Sequence, residues 1–156
     1  MQTITIERAT SATDDVRALV GELDAELLLD YPPEQRHGLS VDAIFQPHIR
    51  FFVARRDGAA AGCGGVALCD GYAEVKRMYV RPALRGRGVA AALLARLEAE
   101  ARDSGREVVR LETGDRQLDA IRLYERAGFR RCAAFGAYAS MPAHRVATSL
   151  FFEKRL

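Results

Sequence analysis

The alternation of apolar and polar residues changes several times along the chain, and each change marks a predicted element. Residues 4–6 alternate between apolar and polar, which is typical of a half-buried strand. Apolar residues then recur at helical spacing over 13–28, with Thr13 as a capping residue, and predict a first helix. Adjacent prolines and a glycine at 30–40 predict a loop that leads to a short second helix around 41–46.

Residues 50–80 contain three apolar runs of β character. Asp57-Gly58 and Asp70-Gly71 separate these runs, and Asp-Gly between such runs is a strong signal for a hairpin turn. The segment therefore predicts an antiparallel meander of three strands. Glycines at 62, 64 and 65 weaken the middle strand or mark a bulge in it.

The strongest helical pattern in the chain lies at 88–105. Its leucines and alanines share one face, and the segment ends with a glycine that stops the helix. On the other face, Arg96 with Glu100 and Glu98 with Arg102 have the spacing of ion pairs four residues apart.

The remaining chain predicts a strand over 108–111, a helix over 117–127 ended by Gly128, and strands near 129–135 and 148–154. A strand, a long helix and a second strand in succession indicate one right-handed parallel crossover. The complete order of elements predicts an α/β fold with a central mixed, mainly antiparallel sheet flanked by about four helices.

Composition places the chain among ordinary folded proteins. Its 156 residues predict one domain over 1–156, and 49% hydrophobic with 28% charged residues is unlike a disordered chain. The 23 lysines and arginines are scattered and the net charge is +2, so we expect no nucleic-acid surface. No apolar run is long enough to cross a membrane, and no signal-like segment opens the chain, so we expect no membrane association and a cytoplasmic location.

The three cysteines, Cys63, Cys69 and Cys132, form no CxxC pair and have no histidine cluster beside them in the sequence. An odd number without this spacing favours free thiols over a disulfide framework or a metal site. We therefore expect no metal.

The segment at 74–94 carries the clearest chemical signal. A predicted strand enters a loop that contains Arg85, Gly86, Arg87 and Gly88, and the loop opens directly into the strongest helix. Unpaired N–H groups at a helix start attract anions, glycines let a phosphate approach the backbone, and the arginines add positive charge. The segment predicts a cradle for a diphosphate, although a flexible, solvated turn has the same composition.

Dinucleotide binding is the main rival interpretation. Residues 86–91 also satisfy G-x-G-x-x-A, and Glu112 lies at about the distance of the usual ribose-binding acid. In that fold, however, the glycines follow the strand almost at once, whereas residues 81–85 intervene here. Too little chain remains for further βα units, and the meander has no place in a doubly wound sheet. A Walker loop would need a Gly-Lys-Ser/Thr ending, which is absent.

Two motifs resemble the GNAT superfamily of N-acetyltransferases, most closely its bacterial small-molecule type. Arg85-Gly86-Arg87-Gly88-Val89-Ala90 resembles the family signature, and residues 116–131 resemble its later motif, in which a helix bearing Leu-Tyr ends at Gly-Phe. The order of elements fits the whole chain. The resemblance implies a GNAT-like acyl-CoA N-acyltransferase fold with about six to seven strands and about four helices.

The same resemblance implies a function. It implies that acetyl-CoA is the cosubstrate, that its acetyl group goes to a primary amine of a small molecule or peptide by direct attack in a ternary complex, and that no metal takes part. No Cys or Ser stands in a recognisable nucleophile setting. A catalytically silent acyl-CoA-binding or regulatory domain on this fold is the alternative, since fold does not fix function. Homodimers are common in the family, so a homodimer is a further possibility.

The resemblance also implies roles for individual residues. Main-chain groups near Met78, Tyr79 and Val80 would bind the pantetheine arm and the thioester oxygen, and Gln117 and Ala120 match positions that often touch CoA. Tyr124 falls on the tyrosine that protonates the departing CoA thiolate, or is a core aromatic residue. Glu74 falls where some members carry a general base, and is otherwise an ordinary strand-end charge.

Acceptor selection in the family falls to the segments that match 29–39 and 133–149. Arg36 and Arg145 are candidates for holding a substrate carboxylate bidentately, or they are solvated surface residues. Further candidates for the pocket are Tyr31, His37 and Tyr138. Alternatives to Glu74 as the base are His37, His48 and His144.

Overall fold

The computed structural model describes residues 3–156, so Met1 and Gln2 of the predicted domain lie outside the described residues. Within this range there are seven strands: β1 (Ile4–Ala9), β2 (Ile49–Arg56), β3 (Ala59–Cys69), β4 (Tyr72–Val80), β5 (Val108–Gly114), β6 (Arg130–Arg131) and β7 (Ser149–Arg155). The same described residues contain four α-helices: α1 (Asp14–Asp30), α2 (Val89–Asp103), α3 (Leu118–Arg126) and α4 (Ala143–Val146).

The strands form a single sheet in the order β1-β2-β3-β4-β5-β7-β6. The pair β4 and β5 is parallel, and the other neighbouring pairs are antiparallel. This confirms the predicted mixed, mainly antiparallel sheet, the three-strand meander and the parallel connection through the long helix.

The first helix confirms the prediction near 13–28. The Thr13 hydroxyl accepts a hydrogen bond from the Val16 N–H at 3.3 Å, which satisfies one of the free donors at the helix start. The predicted second helix at 41–46 is wrong in kind, because only a 3₁₀ turn at Ala43–Phe45 forms there. Gln46 precedes a proline, and its ψ of 151° is the extended backbone that a following proline favours.

The turn and bulge predictions in the meander are confirmed. Asp57 and Gly58 have φ of 50° and 86°, the positive values that a two-residue hairpin turn requires. In β3, Gly64 lies opposite both Arg77 and Met78, since the flanking pairs are Cys63 with Tyr79 and Gly65 with Lys76. Arg77 takes a φ of 55°, which is uncommon outside glycine. The bulge turns the Arg77 side chain away from ordinary strand alternation.

One of the two ion pairs predicted on α2 is confirmed. Arg96 Nη1 lies 3.0 Å from the Glu100 carboxylate. Glu98 does not pair with Arg102; it accepts a hydrogen bond from Lys154 of β7 at 2.8 Å instead. The Glu98 side chain is only 12% exposed and lies at the sheet, where Lys154 of β7 is its ion-pair partner.

Alternation along β2 divides the core between the two faces of the sheet. Phe51 and Val53 pack with α1 residues on one face, and Phe52 and Ala54 pack with α2 and α3 residues on the other. The sheet thus lies between helices. No helix within residues 3–156 has the length and apolarity needed to cross a membrane.

The C-terminal part differs most from the prediction. The strand expected at 129–135 is limited to Arg130–Arg131, where it pairs with β7. Phe135 leaves the sheet and packs with Tyr138 and Phe151 in a small separate cluster, so burial of its ring replaces further strand pairing. A 3₁₀ turn at Gly136–Ser140 and the short α4 follow, and neither was predicted.

The two parallel strands separate soon after they meet. Between β4 and β5, only Ala73 with Val109 and Glu74 with Arg110 are paired. Beyond these residues the strands diverge, and α1, α2 and α3 border the resulting gap. This divergence creates the concave region in which the predicted site residues gather.

Candidate active site

A groove of about 760 Å³ lies beside the diverging part of β4. Nearly all residues that the sequence predicted for cofactor binding line this groove: Met78, Tyr79, Val80, Arg85, Gly86, Gly88, Val89, Ala90, Gln117, Ala120 and Tyr124. Arg87 is the exception and does not line it. The structure therefore brings together two motifs that are well separated in the sequence.

One end of the groove is the start of α2. Gly88 is the N-cap residue with a φ of 85° and contributes no side-chain cap, so the first N–H groups of the helix have no internal partner. Gly86 has a φ of 75°, and apart from its chain neighbours no heavy atom of residues 3–156 lies within 4 Å of the place where its Cβ would be. Open space beside free N–H groups at a positive helix end suits an anion, so these residues fit the diphosphate of CoA.

Arg85 is more constrained than the sequence indicated. Its Nε donates to the Val80 carbonyl at 2.9 Å, and its Nη2 lies 2.9 and 3.1 Å from the two carboxylate oxygens of Glu26. Glu26 and Asp30 of α1 also line the groove. An anionic ligand would therefore compete with Glu26 for the Arg85 guanidinium.

A smaller cavity of about 110 Å³ adjoins the groove. Both spaces are lined by Leu23, Met78, Gln117, Ala120 and Tyr124. The smaller cavity is further bounded by the loop after α1, by β4 and β5, and by Tyr138. Tyr124 therefore stands where the two spaces meet.

The Tyr124 ring is part of the core while its residue also borders both spaces. The side chain packs against Phe129 and Phe152, with ring centroids 5.7 and 6.5 Å away, and the residue is 5% exposed. Within residues 3–156 its hydroxyl has no hydrogen-bond partner. Burial, and to a lesser extent the charge of Glu112, raises the pKa of Tyr124, so the phenol stays protonated at neutral pH. The position of Tyr124 is therefore compatible with both interpretations, a core aromatic residue and a proton donor to the CoA thiolate.

Glu74 is buried and lines the smaller cavity. Its carboxylate accepts a 2.7 Å hydrogen bond from the Tyr138 hydroxyl and lies 3.1 Å from Lys76 Nζ. Lys76 also donates to the Tyr138 oxygen at 3.0 Å. The three side chains form a closed group, so the carboxylate has a cation and a neutral donor as partners before any substrate binds.

Glu112 is a second carboxylate in the smaller cavity, and the sequence interpretation considered it only for dinucleotide binding. Burial raises the pKa of Glu112, and a 2.7 Å hydrogen bond from the Ser149 hydroxyl opposes that shift. Strand alternation is the pattern that could have placed Glu112 in this cavity from the sequence. Glu74 pairs with Arg110, and Glu112 lies two residues further along β5 on the same face.

The structure places four of the seven loop candidates at the smaller cavity. Tyr31, Arg36, His37 and Tyr138 line the smaller cavity, whereas Arg145, His48 and His144 do not. His37 Nε2 lies 2.8 Å from the Arg145 carbonyl, so Arg145 supports this loop through its backbone. Arg77 also lines the cavity, although no role was predicted for it; the bulge in β4 places its side chain there.

The chain is similar to known proteins along its whole length. The sequence model of the Acetyltransferase (GNAT) family matches residues 18–129. The chain is 43% identical over 158 residues to a protein of Azospirillum brasilense named IAA acetyltransferase, with 100% of both chains covered. A solved acyl-CoA N-acyltransferase structure from Klebsiella pneumoniae has 34% identity and a TM-score of 0.78, covering 99% of this chain and 98% of that one.

A more distant solved structure adds information on the fold. An acetyltransferase of Salmonella typhimurium, solved with its cofactor acetyl-CoA, has 21% identity and a TM-score of 0.67. The match covers 98% of this chain and 94% of that one. The fold described above is therefore one that accommodates acetyl-CoA.

Proposed function

The chain belongs to the GNAT acetyltransferase family and is an acetyl-CoA-dependent N-acetyltransferase, and we propose that its acceptor is the primary amine of a small molecule. The observation that carries this proposal is the junction at Tyr124. A groove large enough for a long cosubstrate meets a second, much smaller space at this residue. Donor and acceptor would thus approach Tyr124 from different sides.

The size of the smaller cavity favours a small acceptor over a peptide. Its volume of about 110 Å³ is below that of most small-molecule pockets. The Tyr31 hydroxyl accepts a 2.7 Å hydrogen bond from the Arg116 N–H, so the end of α1 is fixed to the loop before α3. A peptide would need an open channel at this point.

The residues present support the following division of roles. Acetyl-CoA supplies an activated thioester. The N–H groups at the start of α2 hold its diphosphate, and main-chain groups of Met78 to Val80 hold the pantetheine arm. Glu74 accepts the proton that the acceptor amine loses, directly or through water. As the new carbon–nitrogen bond forms and the carbon–sulfur bond breaks, Tyr124 donates a proton to the sulfur.

The positions of the cysteines support direct transfer without an acetylated enzyme. Within residues 3–156 no cysteine lines either space. Cys63 is completely buried, and burial raises its pKa to about 12. Burial also raises the pKa of Cys69 and of Cys132. None of the three thiols is therefore a ready thiolate nucleophile at neutral pH.

Thiol release from acetyl-CoA tests the proposal on amino acids, polyamines, aminoglycosides and short peptides. We expect turnover of small amines and little or none of tripeptides, with intersecting initial-velocity lines when both substrates are varied. Parallel lines, or an acetylated protein seen by mass spectrometry after incubation with acetyl-CoA alone, would overturn direct transfer. Preference for peptides would overturn the small acceptor. Binding of acetyl-CoA without turnover of any amine would instead favour a silent acyl-CoA-binding domain.

A further inference from the structure

Two arginines of the smaller cavity have a buried nitrogen without a partner. Within residues 3–156, the Nε atoms of Arg36 and Arg77 are the buried side-chain nitrogens and oxygens that make no hydrogen bond. Both residues line the same cavity. A guanidinium N–H that loses water without gaining an acceptor is costly, and native structures keep few such groups. The pair indicates an acceptor that the protein itself does not supply.

Neighbouring segments hold both side chains at the cavity. The Arg77 side chain is 3% exposed, and a Cβ on Gly38 would clash with its Nη1, so the loop backbone packs directly against this guanidinium. On either side of Arg36, the Gln35 amide donates to the His144 carbonyl at 3.2 Å and His37 contacts the Arg145 carbonyl at 2.8 Å. The loop is therefore fixed on both sides of Arg36.

The other charged groups of the cavity already have partners. Glu74 pairs with Lys76 at 3.1 Å, and Arg77 uses its Nη2 to pair with Asp24. Glu112 accepts a hydrogen bond from Ser149. Arg36 has no carboxylate at ion-pair distance among residues 3–156. Arg36 thus brings to the cavity a guanidinium without an ion-pair partner, beside an unsatisfied donor of Arg77.

We propose that Arg36 and Arg77 bind an oxyanion group of the acceptor, so that the acceptor is a small amine that also carries a carboxylate or a phosphonate. This inference rests on the proposed function, because it assigns the smaller cavity to the acceptor. A guanidinium presents several N–H donors in a planar fork that matches the oxygens of either anion. Glu74 and Glu112 line the same cavity and suit the ammonium end. A zwitterion therefore matches both kinds of charge.

The test uses pairs of amines that differ in the anionic group. Glycine is compared with glycinamide, β-alanine with β-alaninamide, and 2-aminoethylphosphonate with propylamine. Each is assayed with wild type, Arg36→Gln and Arg36→Lys. Arg17→Gln is the matched control, since Arg17 is an exposed arginine of α1 that lines neither space. The carboxylate and phosphonate arms show which anion the site takes.

We expect wild type to prefer the anionic member of at least one pair. Arg36→Gln should raise KM for that member by roughly 10- to 100-fold, the value of a hydrogen bond to a charged group, and leave kcat/KM for its neutral partner unchanged. Arg36→Lys should retain part of the preference. Equal turnover of both members of every pair by wild type, or an equal loss for both members in Arg36→Gln, would overturn the inference.

Calorimetry separates failure of the subsite from failure of the proposed function. The same amines are titrated into wild type and Arg36→Gln in the presence of CoA. Binding of the anionic member that is lost in Arg36→Gln supports the subsite even if no amine is acetylated. If wild type and Arg36→Gln bind the anionic and the neutral amine of each pair equally well, the subsite is overturned, whatever the rate of acetylation.

Discussion

The hydroxyl of Tyr138 donates a 2.7 Å hydrogen bond to the buried carboxylate of Glu74, although 64 residues separate the two in sequence. Tyr138 lies in the 3₁₀ turn that follows β6, so this bond fastens the C-terminal part of the chain over β4. Burial, and next the charge of Glu74, raises the pKa of Tyr138, which keeps its hydroxyl available as a donor at neutral pH.

Tyr138→Phe should lower the free energy of unfolding by about 1–3 kcal/mol, because the carboxylate of Glu74 would lose a buried donor. Urea denaturation at pH 7 measures this change. Tyr124→Phe is the matched control, since it also removes the hydroxyl of a buried tyrosine, but a hydroxyl that makes no hydrogen bond within residues 3–156. Equal destabilisation by both changes would show that the Tyr138–Glu74 bond adds nothing to stability.

Tyr124→Phe should lower turnover rather than stability. Turnover should fall by roughly 10² to 10⁴-fold, the usual contribution of a positioned general acid or base, while the Kd for acetyl-CoA and the free energy of unfolding stay close to wild type. Thiol release and calorimetry measure the two properties separately. Turnover close to that of wild type would remove Tyr124 as the acid.

Short-range patterns predicted most of the fold. The Asp57-Gly58 turn, the bulge at Gly64 and the glycine-rich entry to α2 depend on backbone conformations that only a few residue types adopt readily, so the sequence identifies them. The glycine-rich end of the groove was predictable for the same reason, because the start of α2 and its glycines are adjacent in the chain.

Partnerships between distant segments were not predictable in this way. Glu26 meets Arg85 across 59 residues, and Lys154 meets Glu98 across 56. Neither contact has a periodic signal, because each depends on where a completed sheet places its helices. The position of Arg77 in the smaller cavity likewise requires the bulge, which reverses the alternation used to assign strand faces.

Glu112→Gln should stabilise the protein at neutral and higher pH. Burial raises the pKa of Glu112 above its ordinary 4.5, so ionisation in the folded state is unfavourable. Its favourable contribution is complete below pH 4.5 and is lost as the pH rises through the folded-state pKa. The stability of Glu112→Gln relative to wild type should therefore increase from about pH 4 to about pH 8 in urea denaturation. A variant less stable than wild type at pH 8 would show that the ionised carboxylate is favoured.

Glu26→Gln should strengthen acetyl-CoA binding by roughly 2- to 5-fold at low salt, because it frees Arg85 from a partly exposed ion pair and removes a negative charge from the groove. Arg85→Gln should weaken binding. Calorimetry on both variants and on the double variant measures their coupling. If Glu26→Gln still strengthens binding when Arg85 is Gln, the gain comes from the groove charge alone. Unchanged affinity in Arg85→Gln would exclude this arginine from the diphosphate site.

Glu74→Gln addresses the amine end of the reaction. An acceptor amine is mostly an ammonium ion at low pH and must lose a proton before it attacks, so the loss of turnover should be greatest there. It should shrink as rising pH supplies free amine, whereas the Tyr124→Phe defect should persist, since free amine does not protonate a thiolate. Turnover of wild type, Glu74→Gln and Glu112→Gln is measured from about pH 6 to about pH 9.5 on one accepted amine. A loss independent of pH in Glu74→Gln would reduce Glu74 to a positioning residue held by Tyr138 and Lys76. The same low-pH loss in Glu112→Gln alone would transfer the role of base to Glu112.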